Sequence, residues 1–185
     1  LDISQLTQFL GHRHIFKTPY RCIVKFDDGS PDTSFTLDED AEHPDKGTTL
    51  TFPLLSDSEE WQLPRMTALL NPSSSPFPLS FLETLYISCG ETYNATWDED
   101  TDIQWLEMLR PFTAVKDLHI ESQIALHLSC ALQELAGERA SEVLPALQNI
   151  FIVEYDLPAY AAQEAMKPFV AARQLSGHPV AVHRC

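Results

Sequence analysis

One phrase recurs three times in this chain: Leu82-x-x-Leu85-x-Ile87, Val115-x-x-Leu118-x-Ile120 and Leu147-x-x-Ile150-x-Ile152. A weaker fourth copy, Val180-x-Val182, follows. The offsets between copies are 33, 32 and roughly 31 residues. Repetition at this period is the mark of a solenoid, in which each unit buries its apolar face only against its neighbours. Within the phrase, alternation at period two turns Leu85 and Ile87 inward and Thr84, Tyr86 and Ser88 outward. The same register exposes Asp117, His119 and Glu121, then Asn149, Phe151 and Val153, then Ala181 and His183. Stacked in parallel, the strands bring Tyr86, His119 and Phe151 into one column on the open sheet face, flanked by Asp117 and Glu121.

Between the strands the pattern is helical. A helix over 61–70 has Pro64 near its first turn, where proline is tolerated. Thr101-Asp102-Ile103-Gln104 is a capping-box pattern that opens a helix carrying Trp105, Leu106 and Leu109 and stopping at Pro111. Ile124, Leu128, Leu132 and Leu135 form one stripe of a third helix, ending near Gly137. Residues 160–175 form a fourth, kinked or restarted at Pro168 and closed by Gly177. Strands are expected at 84–88, 117–121, 148–153 and 180–183.

The first third of the chain reads differently. A short helix is expected at 6–10 and strands at 21–26, 34–37 and 49–54, the last kept to an edge by Pro53. Asp27-Asp28-Gly29-Ser30-Pro31 is turn chemistry, and residues 38–47 are an acidic loop. The expected architecture is α/β, one domain over 1–185. A small β-meander within an atypical, β-rich unit over 1–60 precedes helix–strand repeats with a mostly parallel sheet over 61–185.

Composition narrows the function. The formal net charge is −15, and the 12 basic residues are scattered without a cluster, so nucleic acid and an anionic membrane surface would both be repelled. No apolar run suits a membrane span, and no signal peptide is read at the N-terminus. The absence of an initiator Met suggests a processed chain or a fragment. Cys22, Cys89, Cys130 and Cys185 contain no C-x-x-C pair and are expected as four free thiols, Cys130 on an apolar helical stripe. That points to an intracellular chain, cytoplasmic or nuclear, against which the sequon Asn94-Ala95-Thr96 weighs little.

The residues offer little chemistry. Asp98, Asp100 and Asp102 begin like a calcium loop, but Ile103 stands where glycine belongs and Leu109 where glutamate belongs. Acids feeding a helix N-terminus explain them better. His12 with His14, and His183 with Cys185, are pairs without a third or fourth metal ligand. Neither a G-x-S-x-G elbow nor a phosphate-cradling glycine loop occurs. We therefore expect no cofactor, no metal and no catalysis.

Several long stretches resemble the region after the F-box in F-box-like proteins of mushroom-forming fungi. They are the opening residues 2–10, Trp105 through Lys116, Ala131 through Arg139 running on to Gln148, and Phe169 through Pro179. The resemblance implies a leucine-rich-repeat-like solenoid that captures substrates for an SCF-type ubiquitin ligase. The F-box segment itself is absent from the sequence, so a Skp-type adaptor is an expected partner only if an F-box lies upstream. A scaffold solenoid with no ubiquitin role is the alternative reading, and a hydrolase or metal-dependent enzyme a third.

Overall fold

The computed structural model describes residues 21–26, 33–38, 50–54, 63–70, 79–89, 99–135, 137–154 and 159–185. The expected helix at 6–10, the sequon, His12, His14, Asp98 and the acidic loop beyond Asp38 lie outside these residues. The strands are β1 (Arg21–Phe26), β2 (Thr33–Asp38), β3 (Leu50–Leu54), β4 (Thr84–Cys89), β5 (Asp117–Glu121), β6 (Asn149–Val153) and β7 (Ala181–Arg184). The helices are α1 (Leu63–Leu70), α2 (Glu99–Leu109), α3 (Ser122–Gln133) and α4 (Ala159–Leu175).

The protein is α/β. Seven strands among the described residues form one sheet in the order β3-β2-β1-β4-β5-β6-β7. β1 and β4 through β7 pair in parallel. β2 and β3 extend the sheet antiparallel beyond β1. A helix returns the chain between each later pair of strands, as parallel pairing requires. The helices pack consecutively, α1 on α2, α2 on α3 and α3 on α4.

The inward side of the sheet follows the repeated phrase. Leu85, Ile87, Leu118, Ile120, Ile150 and Ile152 are buried, as are its first positions Leu82, Val115 and Leu147. They join Trp105, Ile124, Leu128 and Leu132 of α3, Leu135 just beyond it, and Met166 and Phe169 of α4 in one core. The pairing aligns equivalent positions across units: Leu85 with Leu118, Leu118 with Ile150, Ile150 with Val182. Just before β4 and just before β5 one carbonyl accepts two N–H groups from the next unit. Glu83 serves Lys116 and Asp117, and Lys116 serves Gln148 and Asn149.

Three expectations are corrected. α2 begins at Glu99, so Thr101 lies inside the first turn and does not cap it. α4 continues through Pro168, so it does not restart there. Proline deprives the Glu164 carbonyl of its helical donor, but Pro168 is exposed, so water reaches that turn. In the same turn Gln133 of α3 donates across to the Ala165 carbonyl (3.3 Å). Cys130 is exposed, because the buried side of α3 is Ile124, Ala125, Leu128, Ala131 and Leu132, and Cys130 falls off it.

Both outer edges resist further strand pairing. Pro53, opposite Ser34 in β3, has no N–H to donate. On β7 the position equivalent to Ile87, Ile120 and Ile152 is Arg184, an exposed charge at an inward-facing place. Charge at that position is a known guard against edge-to-edge association.

One buried charge fastens the later units together. Arg173 of α4 is fully buried, and four backbone carbonyls surround it. Nε donates to His178 (3.2 Å), Nη1 to Ala140 (3.1 Å), and Nη2 to Pro145 (3.3 Å) and Leu147 (3.1 Å). Its guanidinium carbon lies 6.0 Å from the Phe169 ring centroid. Burial lowers its pKa from the usual guanidinium value. The segment it holds contains Leu144, buried and in the left-handed region at φ 49°.

Arg173→Lys should lower folding stability by at least about 2 kcal/mol, because a single ammonium cannot replace a planar fork serving four carbonyls. Arg173→Ala should cost more, comparable to the ~2–5 kcal/mol expected for Ile120→Ala. Chemical denaturation of the three variants checks this; a neutral Arg173→Lys would show that one hydrogen bond suffices.

Two side chains set a pH window. Half-burial lowers the His127 pKa below its ordinary 6.5, so the fold prefers the neutral ring. Below pH 6.5 the unfolded chain takes up a proton that the fold resists, and stability falls. Full burial raises the Cys22 thiol well above its ordinary 9.0, so above that pH the unfolded state ionises first and stability falls again. His127→Gln should flatten the acid slope between about pH 7 and 5.5, and Cys22→Ala the alkaline slope, in urea titrations across pH.

Candidate functional site

The outward side of the parallel strands carries a stack of rings. Tyr86 and His119 stack with centroids 4.2 Å apart and an interplanar angle of 13°. His119 and Phe151 follow at 4.5 Å and 12°. The cause is the register, which pairs Tyr86 with His119 and His119 with Phe151 on adjacent strands. Strands lie about 4.7–4.9 Å apart, close to the separation at which rings stack.

The column extends one ring beyond the expected three. His183 stacks on Phe151 at 4.9 Å and 20°. The alternation of the fourth strand turns His183 outward without joining it to the column; the strands pair Val182 with Ile150 and His183 with Phe151. The signal was available: Tyr86 to His119 is 33 residues, His119 to Phe151 is 32, and 32 more reaches His183. β7 is also well anchored. Ala181 N–H donates to the Gln148 carbonyl, Cys185 N–H to Ile152, and Glu154 N–H to the Cys185 carbonyl.

A polar row runs beside the rings. Asn149 Nδ2 donates to Asp117 Oδ1 (2.8 Å). Asn149 Oδ1 then faces His183 Nε2 at 3.3 Å. A carbonyl oxygen can only accept, so in this contact Nε2 is the donor. Asp117, Asn149 and His183 thus bind β5, β6 and β7 through their side chains.

Glu121 does more than flank the column. β5 passes directly into α3, and the β4–β5 pairing ends at Ile87 and Ile120. Cys89 N–H loses its ladder partner there, and Glu121 Oε2 accepts it at 2.9 Å, together with the Cys89 thiol at 3.2 Å. The structure therefore brings all five sequence-derived residues to one sheet. Tyr86, His119 and Phe151 are half-buried in the stack, Asp117 is tied to β6, and Glu121 is tied to the end of β4.

Other candidates gain no support. Asp100 and Asp102 sit in the first turn of α2, where the dipole favours carboxylates. Among the described residues no group of three His, Cys, Asp or Glu side chains could hold a metal ion. Nor is any helix among them long and apolar enough to cross a membrane. Cys22 and Cys89 lie buried on neighbouring strands, but Cys22 pairs with Leu85, four residues from Cys89 and hence ~13 Å along the strand.

No protein-family model, curated protein or solved structure matches the chain.

All four cysteines are free thiols, Cys130 and Cys185 exposed and Cys22 and Cys89 buried. A thiol reagent should therefore label Cys130 and Cys185 in the folded protein, and the other two only after denaturant is added. Rapid native labelling of Cys89, read by peptide mass mapping, would mean that the Glu121 contact and the strand end are open.

Proposed function

We propose that the chain is a protein-interaction module: a leucine-rich-repeat-like solenoid whose open sheet face receives a protein partner. The observation that carries this reading is the in-register stack of Tyr86, His119, Phe151 and His183 on the face opposite the helices. Rigid aromatic side chains lose little entropy on binding and are enriched where binding energy concentrates. The stack immobilises them before a partner arrives. Successive units of 32–33 residues, each a helix and a strand in parallel register, support the solenoid reading.

Within that reading the chain serves as the substrate-recognition part of an F-box-type SCF ubiquitin ligase subunit, acting inside the cell. The resemblance of residues 105–116, 131–148 and 169–179 to the fungal F-box-like proteins supports this assignment. A scaffold role without ubiquitin chemistry is the alternative reading.

The test is affinity capture from cell extract with the protein encoded by the full open reading frame. Recovery of a Skp-type adaptor and a cullin supports the ligase reading; their absence, with a specific partner still captured, supports the scaffold. Tyr86→Ala and Phe151→Ala should each weaken capture of that partner by about 1–2 kcal/mol in a calorimetric titration, while costing less folding stability than Ile120→Ala. Unchanged affinity in both variants, with the fold intact, places recognition off this face.

A further inference from the structure

The carboxylates beside the ring stack differ from four others among the described residues. Glu83, Glu107, Glu142 and Glu164 each lie within an ion pair, with Lys116, Arg110, Arg139 and Lys167. Asp117 and Glu121 do not. Asp117 accepts from the Asn149 amide, and Glu121 from the Cys89 amide and thiol. These donors are neutral, so they fix the orientation of each carboxylate without adding a positive charge. The nearest cation in sequence, Lys116, is held by Glu83 at 2.8 Å.

The two acids stand on one strand. They are four residues apart along β5, which in extended chain is ~13 Å, and they share the outward face with His119 between them and Phe151 on the next strand. Val153, at the same level as Glu121 on β6, is 37% exposed. The face therefore presents an apolar centre between two fixed negative charges. An extended peptide repeats its own side chains at the same period, so its residues i and i+4 on one face are also ~13 Å apart. Strand addition at an edge does not offer this match, since Pro53 and Arg184 guard the edges.

Resting on the docking face proposed above, we infer that its occupant is an extended basic segment, with an arginine or lysine at positions i and i+4 and an apolar residue between them. The two cations meet Asp117 and Glu121, and the apolar residue lies against the Phe151 edge of the ring stack. The formal net charge of −15 adds long-range attraction, which speeds encounter with any basic segment. The fixed pair of carboxylates supplies the spacing requirement.

Three fluorescent peptides test this by anisotropy, with the cores Arg-Thr-Leu-Thr-Arg, Gln-Thr-Leu-Thr-Gln and Glu-Thr-Leu-Thr-Glu between Gly-Ser flanks. The arginine peptide should bind most tightly. Asp117→Asn and Glu121→Gln, which keep the hydrogen-bond acceptors, should each weaken it about tenfold. Glu164→Gln on α4 removes the same charge elsewhere and should change it less than about twofold. Phe151→Ala should weaken it about tenfold or more.

Equal losses from Asp117→Asn, Glu121→Gln and Glu164→Gln would reduce the attraction to diffuse charge and overturn the inference, as would failure of the arginine peptide to bind. Phe151-dependent binding of the glutamine or glutamate peptide at equal strength would overturn the basic segment while leaving the docking face standing. If the arginine peptide binds but Phe151→Ala leaves its affinity unchanged, the docking face falls as well.

Discussion

Everything in this structure depends on parallel strand pairing in which residues 32 or 33 positions apart meet side by side. That one register puts Leu85, Leu118 and Ile150 in a single inward row, and Tyr86, His119, Phe151 and His183 in a single outward row. A slip of one residue in any pair would send apolar side chains to water and rings to the core, so the buried face enforces the order of the exposed one. The stack is thus a by-product of core packing, with no separate energetic demand on folding. Its spacing is the strand spacing, which is why four rings from four units line up so evenly.

Register alone does not hold the units at their outer turns. Arg173 does this for the last two, donating to carbonyls in the turn after α4 and in the segment between α3 and β6. A guanidinium served by neutral carbonyls avoids the geometry demands of a buried ion pair, yet it leaves no substitute if the side chain is lost. It also stabilises a segment where Leu144 adopts a backbone conformation that non-glycine residues rarely take. On the other side, the Asp117–Asn149–His183 row and the Glu121–Cys89 contact tie the same strands together from the open face.

Much of this was legible in the sequence because the informative signals were periodic. The inward and outward rows of β4, β5 and β6 follow from alternation and from the offsets between copies. The stripe Ile124, Leu128, Leu132 and Leu135 follows from helical spacing, and all four are buried. What escaped reading depends on side chains meeting across distance. Arg173 looked like one more residue of an Ala-rich helix, since nothing local says that four carbonyls converge on it. His183 was missed because the fourth copy of the phrase is degenerate: Arg184 stands where Ile152 stands one unit earlier. Cys130 was misplaced because a thiol scores as apolar wherever it sits. The capping box at Thr101 matched a pattern, but α2 already includes Glu99.

The central claim is the shared register, and the most direct measurement is a set of proton–proton Overhauser contacts between aromatic rings. Contacts are expected between Tyr86 and His119, His119 and Phe151, and Phe151 and His183, with none from these rings to the side chains of Leu118 or Ile150. Ring contacts from Phe151 to those core side chains, or to Arg184 in place of His183, would contradict it.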